Sequence, residues 1–151
     1  MRYILIISIF LCATAVQGQQ NNSEKIYQGN PGITLAQATD SVNYILSTLT
    51  FKPYQFQLEV LPNGKAKITI GDSHFPFNFL ELKNSSSASG YQVNGIELLF
   101  YTPGTRAEND FINFYKGDEQ VAFIKLDPTP RDLLIQLHRL LIKISELLQK
   151  Q

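Results

Sequence analysis

Asp72, Ser73 and His74 are consecutive, and together they supply the three side-chain types of a hydrolase triad. Triad chemistry requires the serine hydroxyl, the imidazole and the carboxylate to meet through space. In an extended chain, however, Asp72 and His74 point to one face and Ser73 to the other. The Gly-x-Ser-x-Gly pattern of a nucleophile elbow is also absent, because Ser73 is followed by His74 and Phe75. Gly71, Asp72 and Ser73 are residue types favoured in turns, so this stretch predicts a hairpin turn.

The other residues that could do chemistry are one histidine and three glutamates. His138 is the second of two histidines, and no His-x-x-x-His or Glu-x-x-His spacing accompanies it. A hydrolase would need His74 or His138 within hydrogen-bond reach of a nucleophile or an acid. Glu59, Glu81 and Glu97 could serve as acid and base if two of them faced one cleft, but strands with one solvated face carry such residues routinely. We therefore predict no metal, no cofactor and no enzyme activity.

The first eighteen residues, MRYILIISIFLCATAVQG, predict a secretory signal peptide. One positive charge at Arg2 precedes an apolar run, and small residues end at Gly18, after which we expect cleavage. The apolar run is too short for a permanent membrane helix. A lipoprotein with Cys12 as the lipidated residue is the alternative, but the residues before Cys12 are too bulky for that processing. The expected location is secreted or periplasmic.

Cleavage would remove the only cysteine, so the mature chain would hold neither a disulfide nor a thiolate metal site. The mature chain would carry twelve basic and thirteen acidic residues, without a basic stripe, which excludes nucleic acid as an expected partner. Residues 19–32 are polar and contain Gly and Pro, which predicts a flexible leader. Residues 33–151 suffice for a single domain without an integral membrane segment. Asn21 and Asn84 begin Asn-x-Ser tripeptides, which matter only in a eukaryotic host.

The domain is predicted to begin with an amphipathic helix. Thr34 has the position of an N-cap, and Gln37 completes a capping box with it. An apolar stripe follows at spacings of three and four and predicts a helix to about Thr48, with the members Leu35, Ala38, Val42, Ile45 and Leu49.

A second, longer helix is predicted at the C-terminus, where Thr129 can cap and Pro130 suits the first helical position. One wide face of this helix is apolar and is expected to pack on the sheet, with the members Leu133, Leu134, Leu137, Leu140, Leu141, Ile144, Leu147 and Leu148. Ile135 and Ile142 lie on nearly the opposite side. They are either isolated exposed side chains or a second contact surface, such as a dimer interface or a contact with the N-terminal helix.

Between the helices the apolar residues alternate, which predicts strands. A hairpin is expected around Asn63-Gly64, a dipeptide that suits a type I′ turn. Phe75, Phe77 and Phe79 predict a third strand, with Pro76 at an edge, a strand start or a bulge. Beyond the polar loop 84–90, a strand is expected from Tyr91 to Tyr101 with Gly95 as a bulge, and a last hairpin turns at Lys116-Gly117-Asp118.

The predicted fold is therefore α+β, with an N-terminal helix, an antiparallel meander of five or six strands, and a long C-terminal helix packed on the sheet. Pleckstrin-homology-like half-barrels and helix-grip folds share this outline, and no motif is specific to either. The expected function is a non-enzymatic exported module that binds a protein or peptide, with Ile135 and Ile142 as the interaction surface. The alternative is a carrier of a small hydrophobic ligand, bound between sheet and helix by Phe75, Phe77, Phe79 and Leu137. A homodimer is a further alternative.

Overall fold

The computed structural model describes residues 32–49, 55–100 and 109–151. Ile33–Gln151 is one compact unit. The predicted signal peptide and all of the predicted leader except Gly32 lie outside the described residues. The elements are α1 (Leu35–Thr48), β1 (Phe56–Val60), β2 (Lys65–Ile70), β3 (Ser73–Asn78), a short 3-10 helix (Phe79–Glu81), β4 (Tyr91–Val93), β5 (Ile96–Leu99), β6 (Asp110–Lys116), β7 (Glu119–Leu126) and α2 (Arg131–Gln149).

The α+β class is confirmed, but the strands form two antiparallel sheets instead of one meander of five or six strands. β1, β2 and β3 form a three-stranded sheet, and β4 to β7 form a four-stranded sheet in sequence order. The sheets separate where the chain leaves β3, because Phe79 begins the 3-10 helix and does not continue the strand. Among the described residues, neither helix is both long and apolar enough to cross a bilayer.

The predicted start of α1 is confirmed in detail. Thr34 Oγ1 accepts from the backbone N–H of Gln37 at 3.2 Å, and Gln37 Oε1 accepts from the backbone N–H of Thr34 at 3.0 Å. This reciprocal capping box satisfies two of the N–H groups that a helix start leaves without partners. The buried side of α1 packs against α2 and β1, with the members Ala38, Val42, Ile45 and Leu46.

The Asn-Gly dipeptide after β1 does not form the predicted type I′ turn. Gly64 has a φ of +83°, but Asn63 does not have a positive φ. The backbone N–H of Gly64 donates to the Leu61 carbonyl, and that of Leu61 donates to the Lys65 carbonyl. This pattern is a three-residue loop with a type I turn and a glycine bulge. Pro62 explains the difference, because its fixed φ suits the first central position of a type I turn.

The type I′ geometry occurs instead at Asn94-Gly95, within the segment predicted to be one strand. Asn94 has a φ of +52° and Gly95 a φ of +74°. Val93 pairs with Ile96 across them, so the segment divides into β4 and β5. The prediction of a bulge at Gly95 was therefore wrong, and the hairpin supplies a strand beyond the five or six expected.

The C-terminal helix buries the predicted face, although its start differs from the prediction. Pro130, and not Thr129, is the residue that precedes the first helical turn, and it makes no side-chain cap. The Thr129 hydroxyl instead donates to the Asp127 carbonyl at 2.6 Å. Most of the predicted stripe is buried, with the members Leu134, Leu137, Leu140, Leu141, Ile144 and Leu148, while Leu133 and Leu147 are half-buried. α2 contacts α1, β5 and the 3-10 helix.

One side chain of α1 bonds to the backbone at the outer edge of β1. Asn43 on α1 donates its amide to the Leu58 carbonyl at 2.8 Å and accepts the Leu58 N–H at 2.8 Å. The amide group thus takes the place of a neighbouring strand at the centre of β1. Edge strands with free backbone groups pair readily with other chains, and such a cover prevents this.

Replacing Asn43 by alanine is expected to lower the free energy of unfolding by about 1–3 kcal/mol, because both backbone groups of Leu58 lose their partner. Ser47→Ala, on the same helix, is the matched control, since Ser47 donates only to the Tyr44 carbonyl at an exposed position. It should change stability by less than about 0.5 kcal/mol. Urea unfolding followed by circular dichroism measures both. Equal losses in the two variants would contradict the role of Asn43.

Candidate functional site

The Asp72-Ser73-His74 stretch does not assemble a triad. Gly71 and Asp72 form a two-residue turn in which Gly71 has a φ of +55°, and Ser73 already belongs to β3. His74 lies opposite Thr69 on β2, and its Nδ1 is 3.2 Å from Thr69 Oγ1 at an exposed position. The turn prediction is thus confirmed for Gly71 and Asp72 and is one residue too long at Ser73.

His138 is buried in α2. Its Nε2–H donates to the Ile96 carbonyl at 2.9 Å, and the Tyr91 ring meets the imidazole edge-on with 5.8 Å between ring centroids. Burial lowers the pKa of His138 below its ordinary value, and the bond to Ile96 opposes part of that effect. Within the described residues, no three His, Cys, Asp or Glu side chains cluster in a way that could hold a metal ion.

Acidification is expected to destabilise the fold through His138. Its pKa is lower in the folded protein than in the unfolded chain, so below pH ~6.5 the unfolded chain binds more protons. The stabilising contribution is present above that pH and is lost as the pH falls toward the folded pKa. The slope attributable to this residue is at most about 1.4 kcal/mol per pH unit. Urea unfolding at several pH values should show this slope in the wild type and its loss in His138→Gln, which retains an N–H donor. An unchanged slope in the variant would contradict the assignment.

The Glu97 carboxyl is fully buried at the centre of the four-stranded sheet. Its Oε1 accepts from the backbone N–H of Gly90 at 2.6 Å. Its Oε2 accepts from the Asn113 amide at 2.8 Å and from the Tyr115 hydroxyl at 3.1 Å. Gln120 Nε2 donates to Asn113 Oδ1 at 3.0 Å. These bonds replace the water that a buried carboxylate loses.

The phenol of Tyr115 acts as a donor in this cluster. Burial raises the pKa of Tyr115 above its ordinary value, and the negative Glu97 carboxylate raises it further. Tyr115 therefore keeps its proton at neutral pH and offers it to Glu97.

The bond from Glu97 to Gly90 fixes one end of the polar loop 84–90, which we name the serine loop. Asp118, in the turn between β6 and β7, fixes the other end. Its Oδ1 accepts from the Ser86 N–H at 2.8 Å, the Ser86 hydroxyl at 2.9 Å and the Ser85 hydroxyl at 3.1 Å. These bonds, led by that of the Ser86 N–H, lower the pKa of Asp118.

A side-chain amide holds the same loop against β4. The Ser85 N–H donates to Gln92 Oε1 at 2.9 Å, and Gln92 Nε2 donates to the Ser85 carbonyl at 2.6 Å. Asn84 adds a further tie, because its Oδ1 accepts from the Gly95 N–H at 2.7 Å. A loop composed of small polar residues is thus held along its length by the sheet.

Tyr91 follows the serine loop directly and presents an exposed aromatic surface. The residue is 67% exposed although it belongs to β4. Ile135 lies three residues before His138 and Ile142 four residues after it, so the three side chains share one stripe of α2. Because Tyr91 contacts His138, it lies beside this stripe. Ile135 and Ile142 are half-buried.

The aromatic residues predicted as ligand-binding lie between the sheets. Phe79 is buried and Phe77 half-buried, and both rings contact the buried Phe114, at centroid distances of 6.1 Å and 4.9 Å. Phe75 is half-buried and contacts Phe123 on β7 at 5.3 Å. Leu137 is fully buried in α2.

The three candidate glutamates do not come together. Glu59 pairs with Lys67 at 3.0 Å and Glu81 with Lys116 at 2.5 Å, both at the surface, while Glu97 is buried. The bond to Lys116 lowers the pKa of Glu81.

Sequence reasoning missed the role of Glu97 and of the serine loop. The available signal was the acid at the centre of an apolar strand, Ile96-Glu97-Leu98, since a charge there needs partners if both faces are covered. Comparison with known proteins adds no further assignment, because no protein-family model, curated protein or solved structure matches this chain.

Proposed function

We propose that this protein is a non-enzymatic binding module that recognises a protein or peptide partner through the serine loop and Tyr91. The observation that carries the proposal is the anchoring of the serine loop by Glu97, Asp118 and Gln92 beside an aromatic residue that is 67% exposed. A loop that is ordered before binding loses less conformational entropy when a partner docks. The buried Glu97 carboxylate keeps one end of the serine loop ordered, which gives this carboxylate a role in binding.

The composition of this surface fits recognition. Ser86, Ser87 and Ser89 are exposed, and Gly90 and Tyr91 follow them. Serine and glycine provide adaptable hydrogen bonding at binding surfaces, and tyrosine provides a large contact area with few rotatable bonds. Exposed tyrosine is also among the residues that contribute most to binding energy at interfaces.

Ile135 and Ile142 extend the proposed surface onto α2. Both are half-buried, and both lie on the stripe that includes His138, which Tyr91 contacts. The interaction surface expected from the two isoleucines is therefore continuous with Tyr91. We further propose, from the N-terminal sequence, that the module acts in a secreted or periplasmic location.

A carrier of a small hydrophobic ligand is the second candidate. The half-buried rings of Phe75 and Phe77 favour it. We rank it second because Phe77 contacts Phe79 and Phe114, so much of the ring surface is already occupied by other rings.

The proposal predicts that Tyr91→Ala weakens partner binding by about 30-fold or more, the effect of losing a central interface aromatic. Tyr44→Ala is the matched control, since Tyr44 on α1 is 65% exposed. A photo-crosslinking phenylalanine analogue at position 91 or 44, in the source organism, would capture the partner for purification. The affinity of the purified partner for the wild type and for both variants would then be measured by calorimetry.

Selective capture at position 91, with binding lost in Tyr91→Ala and unchanged in Tyr44→Ala, would support the proposal. Equal capture at both positions, or unchanged affinity in Tyr91→Ala, would contradict it.

A further inference from the structure

The edges of the two sheets differ in how they are covered. β3 and β7, one edge strand from each sheet, lie against each other. The outer edge of β1 is covered by the Asn43 amide. β4 is the remaining edge strand among the described residues.

The register of β4 fixes the direction of its backbone groups. The two-residue turn Asn94-Gly95 makes Val93 and Ile96 a hydrogen-bonded pair. The next pair, Gln92 with Glu97, is therefore of the non-hydrogen-bonded kind. It follows that the N–H and C=O of Gln92 point away from β5. The Gln92 side chain bonds to Ser85 and so does not cover this backbone.

We propose that the partner binds as an extended strand that adds to β4, exchanging backbone hydrogen bonds with Gln92. This inference rests on the function proposed above and specifies the binding mode at the same surface. One N–H and one C=O on a single residue, facing the same way, match an added strand and do not match a helix. Side chains of the added strand would lie against Tyr91, Ile135 and Ile142 on one face.

The β1 edge supplies an internal comparison. Leu58 holds the position in β1 that Gln92 holds in β4, and the protein satisfies both of its outward groups with the Asn43 amide. Leu58 faces the body of the protein, whereas Gln92 lies between an exposed tyrosine and the serine loop. The partner strand at β4 would bond to the outward N–H and C=O of Gln92, as the Asn43 amide bonds to those of Leu58.

The test uses extended peptides as the probe. Random peptides displayed on phage would be selected on the full-length protein, and the selected peptides synthesised with an N-methyl group at each residue in turn. We expect one or two alternate N-methyl positions to weaken binding about tenfold, the effect of one lost backbone hydrogen bond. We also expect hydrogen exchange of the Gln92 amide to slow in the complex, while that of exposed amides in α1 stays unchanged.

The outcomes separate this inference from the proposed function. Peptides that depend on Tyr91 but tolerate every N-methyl group, or leave the Gln92 amide unprotected, would overturn strand addition alone. Peptides that ignore Tyr91→Ala, or a failure to select any peptide, would count against both. If the protein dimerises in solution and its Gln92 amide is protected without peptide, β4 binds a second copy of this chain. That result would overturn the proposal.

Discussion

Replacing Gly95 by alanine is expected to lower the free energy of unfolding by about 3–5 kcal/mol, at the upper end of single-residue effects. Gly95 has a φ of +74°, in the left-handed region that side chains disfavour. An added Cβ would lie 2.6 Å from the Lys83 nitrogen and 2.6 Å from the Tyr115 carbonyl oxygen. These are backbone atoms that bond to each other at 2.9 Å, so neither can move aside without breaking that bond.

Gly117→Ala separates the two causes of this loss. Gly117 has a φ of +65°, close to that of Gly95, but an added Cβ would meet nothing within 4 Å. Its expected cost is the conformational strain alone, about 1–2 kcal/mol. Urea unfolding of both variants makes the comparison. Equal losses would show that the close approach of Lys83 and Tyr115 to Gly95 is unimportant. If Gly95→Ala does not fold while Gly117→Ala does, the result supports the importance of that close approach.

Removal of the Glu97 carboxyl is the second large effect. Glu97→Ala leaves the Gly90 N–H, the Asn113 amide and the Tyr115 hydroxyl without their acceptor. Buried donors that lose a charged partner are costly, and we expect a loss of about 3 kcal/mol or more. The anchored end of the serine loop should also be released, so the Gly90 amide should exchange with solvent much faster.

Two further variants serve as controls for Glu97. Glu97→Gln keeps one acceptor oxygen in nearly the same volume and should lose less stability than Glu97→Ala. Glu59→Ala removes a glutamate from a surface pair with Lys67 and should cost less than about 1 kcal/mol. Stability is again read from urea unfolding, and Gly90 exchange from amide NMR. A Glu97→Ala protein as stable as Glu59→Ala, with Gly90 still protected, would contradict the anchoring role.

The parts of the fold set by local chemistry were predictable from the sequence. The capping box of Thr34 and Gln37 depends on residues three apart, and the buried stripe of α2 on helical periodicity. The hairpin between β6 and β7 also formed at the expected turn, with Lys116 paired to Glu119.

The two Asn-Gly dipeptides show where local reasoning failed. Asn63-Gly64 and Asn94-Gly95 have the same letters but form different turns. Pro62 precedes the first and favours a type I turn, whereas Val93 precedes the second and allows both central residues a positive φ. The first hairpin lies where it was predicted and differs only in its turn type, whereas the second divides the segment from Tyr91 onward into two strands.

The candidate site was only partly predictable, because several of its contacts join residues distant in sequence. Ser86 bonds to Asp118, and Tyr115 bonds to Glu97. Glu97 alternates with apolar neighbours, which is also typical of a solvated strand residue, so the strand pattern alone does not identify Gly90, Asn113 and Tyr115 as its partners. The sequence of the serine loop predicts a plain connection for the same reason, since many of its bonds go to Gln92, Glu97 and Asp118, outside the loop.

The central claim is that the serine loop is ordered in the free protein and forms, with Tyr91, the surface that a partner covers. Hydrogen exchange of the full-length protein, with and without the partner captured at position 91, tests it most directly. The Gly90 and Ser86 amides should be protected already in the free protein, because they bond to Glu97 and Asp118. The Ser89 and Gln92 amides should gain protection in the complex. Fast exchange throughout residues 84–90 in the free protein, or protection confined to another surface in the complex, would contradict the claim.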